Sequence, residues 1–181
     1  LYWIKERSSI YMKKNKGLAK PWTDDEILQN HKFCNVLRIN DRVSQWLLNN
    51  WYGPYKDHPN MVLAVTLARQ LNNTDALEAV GFPEEWQPEK VQQILDDRAT
   101  AGLANYSSAY IVTGNYESKE RERELKPHQT VWRVCQQIVT DPPFIDTSSM
   151  FRTWRGMLGM RGFGAFIAGQ VVADLRWGLS G

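Results

Sequence analysis

The apolar residues of this chain recur at helical spacing, and the runs they form stop at glycine or proline. That pairing leaves little room for anything but helices. Residues 2 to 16 read as one helix stopped by Gly17. Residues 60 to 71 form an amphipathic run with Val62, Val65, Leu67 and Leu71 available to a core. Thr74 to Val80 ends at Gly81, and Pro88 to Ala101 opens on a proline and closes before Gly102. Pro127 to Thr140 carries Val131, Val134, Cys135 and Ile138 on one face until Asp141-Pro142-Pro143 breaks it. Two further helices are expected over 147–158 and from Gly164 or Ala165 to about Trp177. Evidence for strands is confined to the short β-branched run Tyr110-Ile111-Val112-Thr113. The expectation is an all-α chain, a single helical domain over 1–181.

Several chemistries are excluded by what the chain lacks. No apolar run is long enough to span a membrane and no secretory signal opens it, so the expected setting is cytoplasmic. Cys34 and Cys135 fall in apolar helical patterns and read as reduced core thiols. His31, His58 and His128 make no zinc spacing, and no resident metal is expected. There is no G-x-x-x-x-G-K-[ST] loop, so the segment is not itself a P-loop kinase. Charge is unevenly placed. Residues 1–50 hold nine Lys or Arg against five acids, and residues 148–181 hold four Arg against Asp174 alone. The stretch between carries nine bases and fourteen acids, so the two ends suit a polyanion such as DNA.

The densest chemistry lies between Lys20 and Arg42. Thr23 with Glu26 has the pattern of a capping box. The following helix would carry Phe33, Val36 and Leu37 on an apolar stripe. Asn35, Arg38 and Arg42 would share a polar face beside it, with a second cap at Asn40 or Asp41 before Val43-Trp46-Leu47.

This region carries a resemblance. Trp3-Ile4-x-Glu6-Arg7, Ile10-Tyr11-x-Lys13-Lys14, Lys20-Pro21-Trp22-Thr23-Asp24-Asp25 and Phe33-Cys34-Asn35-Val36 with Arg38 and Asp41-Arg42 resemble the thymidine-hypermodification proteins. These are the alpha-glutamyl/putrescinyl thymine pyrophosphorylases, or amino acid:DNA transferases; the helical domain of 5-hydroxymethyluracil DNA kinases opens similarly. The likeness recurs at Ala109-Tyr110-Ile111-Val112-Thr113-Gly114 and at Ala168-Gly169-Gln170-Val171-Val172-Ala173-Asp174-Leu175. The resemblance implies that the pattern continues past Gly181, so the chain reads as truncated at its C-terminus. It also implies a setting in the infected bacterial host should the chain be phage-encoded.

A second constellation, Leu158-Gly159-Met160-Arg161-Gly162-Phe163-Gly164-Ala165-Phe166, reads as helix, tight turn, helix. Its glycines permit backbone angles closed to other residues, and their amides could meet one phosphate. Residues 150–177 therefore look like a helix-hairpin-helix, and the fold class expected is the all-α, helix-hairpin-helix DNA glycosylase-like type. Gly162 and Gly164 with Arg155 and Arg161 are the candidate DNA contacts. Glycosylase chemistry itself finds little support: Asp174 falls too near the hairpin, and no Lys opens the second helix.

The implied reaction displaces pyrophosphate from the 5-methylene of a modified thymine in double-stranded DNA by an amine or amino acid. The base must leave the stack. Trp22, Phe33, Tyr110 and Thr113 would line its pocket and Asn35 would read its uracil edge. Arg7, Lys13, Arg38 and Arg42 would clamp the anionic leaving group, which could bring Mg²⁺. Asp24, Asp25 or Asp41 would take the amine's proton. In a different class stands a non-catalytic helical DNA-recognition domain partnered with a 5-hydroxymethyluracil DNA kinase, and third a glycosylase.

Overall fold

A computed structural model describes residues 1–31, 33–107 and 127–180, the side chains of 127–130 excepted. Tyr110, Thr113 and the family-like run around them lie outside the described residues. The described secondary structure is helical throughout. The chain divides into two compact units, Leu1–Trp46 and Leu47–Gly181.

The first unit opens with α1, Tyr2–Asn15. None of its residues is fully buried, and its half-buried positions are those from Glu6 to Tyr11 together with Lys13. Lys13 and Lys14 occupy the last turn, where cations suit the helix dipole. Gly17 then takes φ 70°, and Leu18 N donates to Lys13 O at 3.1 Å, so the ending predicted from Gly17 is present.

The long helix expected from Thr23 is replaced by pieces. Helix α2 covers only Glu26–Asn30, a 3-10 turn covers Arg38–Asn40, and α3 covers Arg42–Leu47. His31 is extended at φ −115°, ψ 142°. The reason lies in side chains competing for backbone groups. Asn30 Nδ2 donates to Glu26 O at 2.9 Å, Asn35 Nδ2 donates to Asn40 O at 2.7 Å, and Arg7 Nη2 donates to Cys34 O. A continuous helix would have offered the Cys34 carbonyl to Arg38 instead. The apolar stripe fails with it: Phe33 is 42% exposed and Leu37 53%. Cys34 is exposed as well, which corrects its assignment to a core.

The second unit is built on α4, Met61–Leu71, whose residues are all buried except Val62. A helix that is apolar nearly all round belongs inside a core, and here Thr66, Arg69 and Gln70 are buried with it. It packs against α7 (Pro127–Thr140) and α9 (Ala165–Gly178), and more lightly on α5 (Thr74–Val80). Helix α6 (Pro88–Thr100) joins α5 to α7, and α8 (Met150–Leu158) packs on α9. The α7 stripe is as the periodicity predicts, with Val131, Val134, Cys135 and Ile138 all buried. Burying such side chains contributes roughly 1.5–3 kcal/mol each. Burial also pushes the Cys135 thiol well above its ordinary range, so it stays protonated.

A π-helical turn, Leu48–Tyr52, follows α3 directly and also touches α9. It sends Trp51 and Tyr52 inward. The C-terminal end of α9 closes on the start of α4. A side chain at Gly178 would collide with the Met61 side chain, so Met61 would have to move to admit one.

Candidate functional site

Within the first unit, the predicted site residues are met mostly by their own backbone. The N-cap of α2 is Asp25, not Thr23: Asp25 Oδ1 accepts from Leu28 N at 3.1 Å. Thr23 is buried, and its Oγ1 accepts from Asp25 N at 3.2 Å, so the Thr23–Glu26 capping box does not form. Asp41 behaves as the second cap that the sequence predicts, accepting from Ser44 N at 2.8 Å. Asp24 is exposed and caps nothing. Tyr2 leans toward this group. Desolvation, followed by the Asp25 carboxylate it hydrogen-bonds, holds its hydroxyl above the ordinary phenol range.

The cations are placed likewise. Lys13 Nζ donates to Trp22 O at 2.7 Å, and Trp22 Nε1 donates to Leu18 O at 2.7 Å. Lys20 Nζ stands 5.1 Å from the Trp22 ring centre. Arg7 reaches from α1 to the 33–34 stretch. Its guanidinium carbon lies 5.7 Å from the Phe33 ring, and Nη2 meets both the Cys34 carbonyl and Sγ. Its Nε is buried without an acceptor. Trp3 packs edge-on against Phe33 at 5.5 Å. The structure thus joins Arg7 with Phe33 and Cys34, and Lys13 with Trp22. Asn35, Arg38 and Arg42 lie on an irregular stretch, a 3-10 turn and α3 respectively, so they do not form one helical face. Arg42 is exposed.

In the second unit, α8 and α9 are joined by a tight turn, as the glycines predict. Gly162 takes φ 100°, a conformation that favours glycine. Gly164 does not need to be glycine for its backbone: it is the N-cap of α9 at φ −76°, with open space where a Cβ would stand. Met160 and Phe163 turn into the core. Arg155 and Arg161 are exposed, and the Arg155 guanidinium carbon lies 6.0 Å from the Phe151 ring.

One polar cluster was not foreseen. Asp174 is fully buried on α9, where its Oδ2 accepts from Arg69 Nε at 2.5 Å and from Tyr52 OH at 2.8 Å. Arg69 Nη1 donates onward to Asn72 Oδ1 at 2.9 Å. The available signal was Arg69 and Asp174, each set among the apolar residues of a helix that packs in the core. The carboxylate is sealed from solvent, which removes it from any base-excision chemistry.

Among the described residues no group of three or more His, Cys, Asp or Glu side chains is placed to hold a metal ion. No described helix is long and apolar enough to cross a membrane.

The comparisons agree on one theme. A family model described as the helical domain of 5-hmdU DNA kinase matches residues 1–179. A protein named 5-hmdU DNA kinase, from Bacillus phage SP10, is 30% identical over 118 residues, 59% of this chain. That match covers 18% of the relative's length, so this chain corresponds to a small part of it. No solved structure matches.

Proposed function

Because the chain belongs to the 5-hmdU DNA kinase helical-domain family, we propose that it recognises DNA carrying 5-hydroxymethyluracil and presents it to a kinase active site. One observation carries this choice over amine transfer. Among the polar residues at 7–42, Arg7, Lys13, Asn35, Asp25 and Asp41 are engaged with backbone groups of their own unit. A clamp for pyrophosphate needs cations directed at the ligand, and a base for an amine needs a carboxylate that is not already capping a helix.

The charge pattern supports the DNA half of this reading. Asp174 is the sole acid of residues 148–181, and it is buried against Arg69. The four arginines of that stretch, Arg152, Arg155, Arg161 and Arg176, are exposed. In this reading the α8–α9 turn works as a helix-hairpin-helix, meeting a phosphate with backbone amides near Gly162 and Gly164, while Arg155 and Arg161 add charge. Within the first unit, Trp22 and Phe33 are the side chains proposed to line the modified base.

A second reading, the transferase, rests on Asp24 and Arg42. Both are exposed in the family-like segment, and neither caps a helix. Asp24 would accept the amine's proton, Arg38 and Arg42 would meet the departing pyrophosphate, and Mg²⁺ would arrive with that leaving group.

The two readings separate in one experiment. The intact protein is titrated with duplexes differing by a single 5-hydroxymethyluracil, and pyrophosphorylated DNA is incubated with it and mixed amines before nucleoside mass analysis. Recognition predicts tighter binding of the modified duplex and unaltered nucleosides. An amine-bearing thymine, lost on Asp24→Asn, would establish the transferase. Equal affinity for both duplexes with no product would remove both.

A further inference from the structure

The outward face of α8 holds an arrangement that packing does not explain. Phe151 is 64% exposed, yet it is not loose. Its ring lies 6.1 Å from Trp154 at an interplanar angle of 28°, and the Arg155 guanidinium carbon stands 6.0 Å from its centre. Trp154 is itself fixed, because Nε1 donates to Ala165 O at 3.2 Å, at the first residue of α9. The neighbouring residue on α9, Phe166, is 57% exposed. Residues 151, 154 and 155 share one helical face by spacing, while Thr153 and Met157 supply the buried one.

A soluble domain gains nothing from holding an aromatic ring in water, braced by a second ring and a guanidinium. The same arrangement is what an unstacked nucleobase requires: a flat apolar face to stack on, and cations beside it for the strand's phosphates. Charge selects the occupant. Asp146 pairs with Arg152 at 3.3 Å, and Asp174 is buried with Arg69, so neither acid opposes a polyanion next to Arg155 and Arg161.

We propose that Phe151, braced by Trp154 and Arg155, is a stacking platform for an unpaired base of the DNA strand held at the α8–α9 turn. The proposal rests on the DNA-recognition reading above and adds to it a site that reads a base face, independent of the 5-substituent. Exposed apolar surface next to basic side chains also suits a protein partner, so the experiment includes self-association.

The test uses the intact protein, a labelled oligothymidylate and an abasic strand of equal length and charge. Both strands share phosphates, but only one offers bases. Phe151→Ala is expected to weaken oligothymidylate binding by about tenfold, in line with the loss of one base–aromatic stack. Abasic binding and the salt slope should be unchanged, because no phosphate contact is removed. Phe151→Trp should bind as well as the parent. Since Phe151 lies mostly in solvent, Phe151→Ala should melt with the parent, and that is verified first. Parental affinity of Phe151→Ala for oligothymidylate overturns the platform, as does an equal loss on both strands. Concentration-dependent dimerisation abolished by Phe151→Ala also overturns it, by giving the face to a second copy. If the platform fails while the 5-hydroxymethyluracil duplex is still preferred, the recognition reading stands without it. If Phe151-dependent stacking is seen but the modified duplex is not preferred, the recognition reading fails instead.

Discussion

Asp174 shows how a lone acid in an arginine-bearing stretch can be wholly structural in space. It sits in a family-like run, and position alone argues against a glycosylase acid. Its burial, with Arg69 and Tyr52 on one oxygen, makes it a joint that ties α9 to α4 and to the π-helical turn. Removing one member of a buried ion pair leaves an uncompensated charge, which typically costs about 3–5 kcal/mol. Asp174→Ala should lose stability on that scale in urea unfolding. The double change Asp174→Leu with Arg69→Met should recover most of it, because no charge is then stranded. A small loss for the single variant would mean that water reaches Arg69. The pair was hard to foresee, since sequence gives each charge without the rotation that brings them together.

Among the elements, the helices with explicit punctuation were legible. Helices α5 and α7 have the bounds read from Gly81 and from Pro127 and Asp141-Pro142-Pro143. The stretch after Thr23 was misread because an i, i+3, i+4 match at Phe33, Val36 and Leu37 is short. Sequence periodicity also takes no account of Asn30, Asn35 and Arg7 competing for carbonyls. The α8–α9 turn is legible in its glycines, but sequence alone does not separate the two, and the backbone does. Gly162→Ala forces a side chain into the left-handed region and should cost about 1–2 kcal/mol in thermal melting. Gly164→Val meets no steric barrier, since φ is −76° and the space beside it is open, and should cost only about 1 kcal/mol, the usual loss of a good N-cap. It therefore isolates the DNA question. A uniform loss of affinity across sequences would mark backbone amides meeting phosphate, and unchanged affinity would mark a packing turn.

At the scale of the whole molecule, the family and the all-α class are readable because they rest on dispersed features: helical spacing, stop signals, and a run of matched residues near the N-terminus. The site was less so. Residue types name a chemistry but not their partners, and Asp25, Asp41, Arg7 and Lys13 all turn out to be bonded to backbone. The chain also carries a small irregularity of count. The π-helical turn at Leu48–Tyr52 has one residue more than an α-helical turn would use, which is how an insertion looks after a helix has absorbed it. Its consequence is a matter of phase. Removing Asn49, an exposed residue, would let the helix run on as α, but would rotate Leu47 by about 100° relative to Tyr52. Leu47 and Tyr52, both fully buried, could then no longer face inward together. Deleting this one surface residue should therefore destabilise the second unit more in urea unfolding than Tyr52→Phe, which removes only a hydroxyl. In this helix the number of residues, more than the identity of Asn49, keeps Tyr52 within reach of Asp174.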